Sequence, residues 1–138
     1  MALWIKICGM TDAEAVGAAL QAGADAIGFV FAVSPRRVTP AQAAQLAAPA
    51  RGRARCVAVT QHPSAELLED ILRLFAPDIL QTDAADVEKL SLAGRCEVLP
   101  VLRSQHALPA VLQPRMLFEG PASGTGFIAD WAGAAALA

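Results

Sequence analysis

The chain has no tyrosine, two histidines, three cysteines, and only 17% charged residues in a length of 138. Several of these shortages exclude something. Net charge is −2 and no long run of Lys or Arg occurs, so there is no electrostatic footprint for nucleic acid or an anionic membrane surface. Cys8, Cys56 and Cys96 are odd in number and form no CxxC pair. That argues against a disulfide framework and against a zinc site, and fits a reducing, cytoplasmic setting. No apolar run approaches the roughly 20 uncharged residues of a membrane-spanning helix, although mean hydropathy is +0.44. The opening residues carry no basic segment ahead of an apolar one, so no secretory signal is expected. The lack of tyrosine excludes nothing.

What the chain does contain is an alternation of short apolar runs with alanine-rich or amphipathic ones. Leu3–Cys8 reads as a strand ending on a thiol. Thr11 and Glu14 fit a capping box for a helix to about Gln21, with Gly23 as its stop. The continuous apolar run Ala26–Ala32 predicts a strand buried on both faces. Thr39-Pro40 opens a second helix. Arg55–Thr60 is a third strand, and Ser64 caps a helix whose Leu67, Leu68, Ile71, Leu72 and Phe75 share one face. Asp78–Thr82 is a fourth strand and Asp86–Leu92 a short helix. Glu97–Leu102 follows as a fifth strand interrupted by Pro100, then a helical turn over Ala107–Leu112. Arg115–Glu119 is a sixth strand, and a last helix runs from Asp130 to Ala138.

No linker or charge block divides the chain, so one domain is expected over residues 1–138. About six successive βα units imply a parallel sheet with right-handed crossovers. Two architectures satisfy this: an open doubly wound sheet, or a (β/α)8 barrel. A barrel usually takes about 250 residues and eight units, so length alone favours the open sheet.

The motifs reverse that preference. KICGMT (Lys6–Thr11), GADAIGFVFAVSPRRV (Gly23–Val38), DILQTD (Asp78–Asp83) and LFEGPASGTG followed by DW (Leu117–Trp131) together resemble phosphoribosylanthranilate isomerase. The resemblance runs the length of the chain and implies a TIM-barrel domain, here about the first six of eight units. It implies the Amadori rearrangement of an aminoaldose to an aminoketose in tryptophan biosynthesis, on a phosphorylated small molecule, with no metal and no organic cofactor. The chain departs from the family at Glu119, where aspartate is usual, and at Gln81-Thr82-Asp83-Ala84, where QxHG is frequent. It also stops at Ala138, inside the sixth unit, so the loops that hold phosphate after strands seven and eight are expected to be missing. On that reading the 138 residues alone would be a poor catalyst, and open sheet edges would favour a homodimer. The alternatives are a non-catalytic remnant or a small-anion-binding α/β module.

The resemblance assigns roles residue by residue. Cys8 matches the general base that removes the C2′ proton; without it, a strand-end cysteine reads as packing. Lys6 is two residues earlier on the same face and would favour the thiolate. Glu119 matches the general acid that protonates the ring oxygen. A carboxyl ending the apolar run Met116-Leu117-Phe118 would be partly desolvated, which favours its protonated form. Arg36 matches the arginine that meets the anthranilate carboxylate, as a planar guanidinium can. Arg37 is expected to face solvent. Gln81 would line the pocket, and Asp83 receives no role. Gly124 and Gly126, in Ser123-Gly124-Thr125-Gly126, could present backbone N–H groups to an anion. Asp130 reads as a helix cap with Trp131 packed under the loop. Cys56 and Cys96 read as core in strand interiors. His62 and His106 read as exposed or capping.

Overall fold

The computed structural model describes residues 3–92, 94–104, 113–122 and 124–137. Six strands lie in one parallel sheet in chain order: β1 (Lys6–Cys8), β2 (Ala26–Val30), β3 (Arg55–Val59), β4 (Ile79–Asp83), β5 (Glu97–Arg103) and β6 (Leu117–Glu119). A doubly wound sheet reverses its strand order at a switch point. Here the order never reverses, so the open doubly wound alternative is overturned and the wall is that of an incomplete (β/α)8 barrel.

Between the strands lie α1 (Ala13–Gln21), α2 (Pro40–Ala47), α3 (Ala65–Asp70) and α4 (Ala84–Val87), with α5 (Trp131–Ala135) after β6. The caps explain where they start. Thr39 Oγ1 accepts from the Gln42 N–H while Gln42 Oε1 accepts from the Thr39 N–H, with Pro40 at the first helical position. Ser64 and Asp130 cap α3 and α5. The cap of α1 is Asp12, which accepts from the Ala15 N–H, and not Thr11; a carboxylate at a helix N-terminus also gains from the helix dipole.

Several boundaries moved for local reasons. β1 starts at Lys6 because the Ile5 N–H is taken by the Asp25 carboxylate. The long amphipathic helix after Ser64 relaxes at Ile71 into one π-helical turn, Ile71–Phe75. Arg51 donates to the carbonyls of Phe75 and Ala76 at its end, with its guanidinium 5.2 Å above the Phe75 ring. The helix expected over Asp86–Leu92 is the four-residue α4, beginning at Ala84. α5 spans Trp131–Ala135, shorter than expected. Pro100 is accommodated inside β5, opposite Thr82. The turn expected over Ala107–Leu112 lies outside the described residues.

Apolar side chains sit in two layers. Ile27, Phe29, Phe31, Cys56, Ala58 and Leu80 point outward and pack under the helices, against Val16, Ala43, Leu68, Ile71 and Phe75 among others. The Phe29 and Phe75 rings meet edge-on at 5.2 Å. Ala26, Val57, Ile79 and Leu99 point the other way and close the barrel interior, with Trp4 and Leu117 against them. β2 is buried along its whole length because it faces both layers. Cys56 is core as expected; Cys96 precedes β5 rather than lying inside it, and is half-buried against the helix layer.

Candidate active site

Strand register decides which side chains face the barrel interior. Cys8 pairs with Gly28, Gly28 with Val57, Val59 with Gln81, Asp83 with Val101, and Arg103 with Glu119. Neighbours in a parallel register point to the same face, so Lys6, Cys8, Gln81, Asp83, Arg103 and Glu119 belong to one inward set. Ala26, Val57, Ile79 and Leu99 fill its lower layer. The polar members lie towards the carboxyl ends of the strands, the end at which barrels carry their sites.

A cleft of about 610 Å³ opens there. Cys8, Lys6, Gln81, Glu119, Arg36 and Gly124 all line it, so six of the seven residues singled out from the sequence converge. The seventh, Gly126, lines an adjoining recess with Phe118 and Trp131. Ser123 and His106 lie outside the described residues. Trp131 is 74% exposed rather than packed under the loop. A recess of about 760 Å³ bordered by α3 and α4 is larger, but it holds neither the thiol nor Glu119.

Two glycines frame Cys8. Gly9 has φ +92°, and a β-carbon there would fall 2.4 Å from Arg36 Nη1. This lets the Arg36 guanidinium lie across the turn and donate to the Cys8 carbonyl at 3.2 Å. A β-carbon at Gly28 would fall 2.9 Å from Cys8 Sγ. Arg37 is exposed, as expected. Lys6 reaches across to β4, where Nζ donates to Gln81 Oε1 at 2.6 Å.

Glu119 faces a residue that sequence reasoning missed. Arg103, 8% exposed, places Nη1 3.6 Å from Glu119 Oε2. Its Nε and Nη2 both donate to Asp83 Oδ1, at 3.0 and 2.7 Å. Asp83, to which the motifs assign no role, is therefore a buried ion-pair partner. The hydrogen bonds it donates to Asp83 push the Arg103 guanidinium further above its ordinary value, against the opposing effect of burial. The alternation Leu99, Val101, Arg103 is the signal for it: β5 runs one residue past the apolar run that stops at Leu102.

His62 has an exposed ring, as expected, yet it is neither free nor a helix cap. Its Nδ1 lies 2.8 Å from Asp86 Oδ1, and its backbone N–H donates to Asp86 Oδ2 at 3.0 Å. Burial pushes the Asp86 carboxyl up, but the His62 contacts and a bond from Thr82 outweigh it and hold it below its ordinary value. Among the described residues, His62, Asp83 and Asp86 form the cluster whose donor atoms converge closely enough for a metal ion, within 4.8 Å. Burial pushes the thiols of Cys56 and Cys96 up, away from thiolate chemistry.

Chemically, the cleft offers a thiol on β1 and a carboxyl on β6. Around them are the cations of Lys6, Arg36 and Arg103. A thiol and a carboxyl among three cations is an arrangement that could move protons on an anionic small molecule. No described helix is long and apolar enough to cross a membrane.

A profile of the N-(5'phosphoribosyl)anthranilate (PRA) isomerase family matches residues 5–136. The N-(5'-phosphoribosyl)anthranilate isomerase of Brucella canis is 45% identical over 106 residues, covering 75% of this chain and 48% of that protein. The chain thus spans about half the length of the curated relatives it matches. The phosphoribosyl anthranilate isomerase of Thermus thermophilus superposes with a TM-score of 0.83 at 24% identity, covering 98% of this chain and 71% of its own. A phosphoribosyl anthranilate isomerase crystallised with reduced 1-(o-carboxyphenylamino)-1-deoxyribulose 5-phosphate gives 0.65 at 24% identity, covering 74% and 54%. At these identities the structural likeness speaks to the fold.

Proposed function

Because the chain belongs to the N-(5'-phosphoribosyl)anthranilate isomerase family, we propose that its cleft serves the Amadori rearrangement of phosphoribosylanthranilate in tryptophan biosynthesis. The observation that carries this reading is the convergence of Cys8, Glu119 and Arg36 on one cleft, from β1, β6 and the loop after β2.

Glu119 protonates the furanose ring oxygen, the C1′–O bond breaks, and a protonated Schiff base forms with the anthranilate nitrogen. Cys8 then removes the C2′ proton, giving an enolamine that tautomerises to the aminoketose. Each proton that Glu119 donates is balanced by one that Cys8 accepts, so no metal or organic cofactor enters the step. Arg36 engages the anthranilate carboxylate; its planar fork suits two parallel hydrogen bonds. Gln81 and Lys6, already bonded to each other, line the substrate channel. Gly124 and Gly126, both with positive φ, offer N–H groups to an anionic substituent. A reducing, cytoplasmic setting belongs to this reading, because Cys8 has to stay reduced to supply the thiolate that accepts the C2′ proton.

The test is turnover of phosphoribosylanthranilate generated in situ, followed by the fluorescence of its anthranilate group. Cys8→Ala and Glu119→Gln should each lower kcat by about 10²–10⁴-fold, and Arg36→Ala should act mainly on KM. Turnover untouched by the first substitution, or by the second, removes that residue from the mechanism.

A further inference from the structure

We propose that His62 and Asp83 bind a divalent transition-metal ion of the zinc, cobalt and nickel class, with Asp86 as the carboxylate that holds the His62 ring. This goes beyond the isomerase reading and does not depend on turnover.

The argument starts from one atom. The Asp83 side chain is 4% exposed. Its Oδ1 is satisfied twice by Arg103, but its Oδ2 is buried without a hydrogen-bond partner. A buried carboxylate oxygen left in that state costs free energy, and native interiors rarely keep one. The atom facing it is His62 Nε2, at 3.5 Å.

What Nε2 can offer is set at the other side of the ring. Asp86 Oδ1 lies 2.8 Å from Nδ1; a carboxylate oxygen there accepts, so the Nδ1–H tautomer is the one it selects, and in that tautomer Nε2 presents a lone pair. Asp86 is itself anchored, since its Oδ2 accepts from the His62 N–H and from Thr82 Oγ1. A carboxylate that fixes the tautomer of a ligating histidine is a recurring feature of metal sites. In that tautomer a nitrogen lone pair and a carboxylate oxygen face each other at 3.5 Å, an arrangement that a metal ion between them satisfies.

The spacing suits a metal. Tetrahedral Zn–N and Zn–O bonds of about 2.0–2.2 Å put two ligand atoms about 3.3–3.5 Å apart. The observed 3.5 Å matches that bite and exceeds an ordinary N–H···O bond, about 2.9–3.0 Å. Arg103 occupies Oδ1, so Asp83 would bind through one oxygen. The His62 ring is 63% exposed, which leaves the remaining positions to water.

The competing occupant is a proton, which would make His62 an imidazolium between two carboxylates. Titration of the intact chain with Co²⁺ or Zn²⁺ at pH 7.5, read by calorimetry and by 15N NMR of the histidines, separates the two. The proposal expects one ion per chain and a shift or broadening of His62 Nε2. With cobalt, no thiolate-to-metal charge-transfer band should appear, since Cys8, Cys56 and Cys96 take no part. His62→Gln and Asp83→Asn should abolish saturable binding, and Asp86→Asn should weaken it by about 10–100-fold. Circular dichroism reports whether each variant is folded. Should Asp83→Asn fail to fold, His62→Gln alone decides, because its ring is largely exposed. A doubly protonated His62 indifferent to metal overturns the proposal, and so does binding that survives His62→Gln.

Discussion

Cys8 Sγ occupies the space where Gly28, its neighbour across the β1–β2 register, would carry a β-carbon; the separation would be 2.9 Å. The missing side chain on one strand is thus part of how the thiol on the next strand is held. Gly28→Ala should force Cys8 aside or push the strands apart. The expected cost is about 1–3 kcal/mol in urea unfolding, the usual range for overpacking, together with an altered rate of Cys8 alkylation. Unchanged stability and an unchanged alkylation rate would show that the packing at Cys8 is looser than this contact requires.

The Arg103–Asp83 pair is enclosed, at 8% and 4% exposure. Removing one partner strands a buried charge. Asp83→Ala should cost about 3–5 kcal/mol, whereas the double change Arg103→Met with Asp83→Leu should recover most of it. Equal losses in the single and the double variant would contradict this. Replacing Arg103 also removes the cation beside Glu119, so activity should not recover with stability.

Burial raises the Cys56 thiol above its ordinary 9.0, against the nearby Arg51 guanidinium. The sign follows directly. A raised folded-state value means that the unfolded chain loses the proton first. Stability is therefore complete below pH 9 and falls as pH rises through the folded-state value. Urea midpoints compared at pH 8 and pH 10.5 should fall further for the natural chain than for Cys56→Val. Parallel curves would remove Cys56 from the alkaline transition.

Leu3, Ile5 and Ile7 are 81%, 44% and 36% exposed along the β1 edge, whose outer side meets no strand among the described residues. Alternate apolar residues on an unpaired edge invite a second copy. Sedimentation of the 138-residue chain should reveal concentration-dependent association, weakened by Ile5→Lys with Ile7→Lys. A chain that stays monomeric at high concentration would dispose of the homodimer reading.

Much of the fold was legible in the sequence because local rules governed it. All six strands and the starts of α2, α3 and α5 follow from apolar runs and from the caps Thr39, Ser64 and Asp130. Where neighbours in space compete with neighbours in sequence, the reading slipped. Asp12 displaced Thr11 as a cap, and the π turn at Ile71–Phe75 ends on the Phe75 carbonyl, which accepts from Arg51, 24 residues away. The family resemblance points to Cys8, Glu119, Arg36 and Gln81, because motif residues identify themselves wherever they end up, and strand alternation points to Lys6.

The sequence by itself determined that this is a chain of alternating strands and helices with a thiol, a carboxyl and a guanidinium at loop-proximal positions. Only the tertiary structure decided the sheet order, which sets barrel against open sheet, since hydrophobic periodicity carries no information about which strand lies beside which. It also decided the fate of Arg103, Asp83, His62 and Asp86. Their partners come from β4, β5, β6, α4 and the loop after β3, so their charges become a network only when register brings them together. There burial decides what each charge needs.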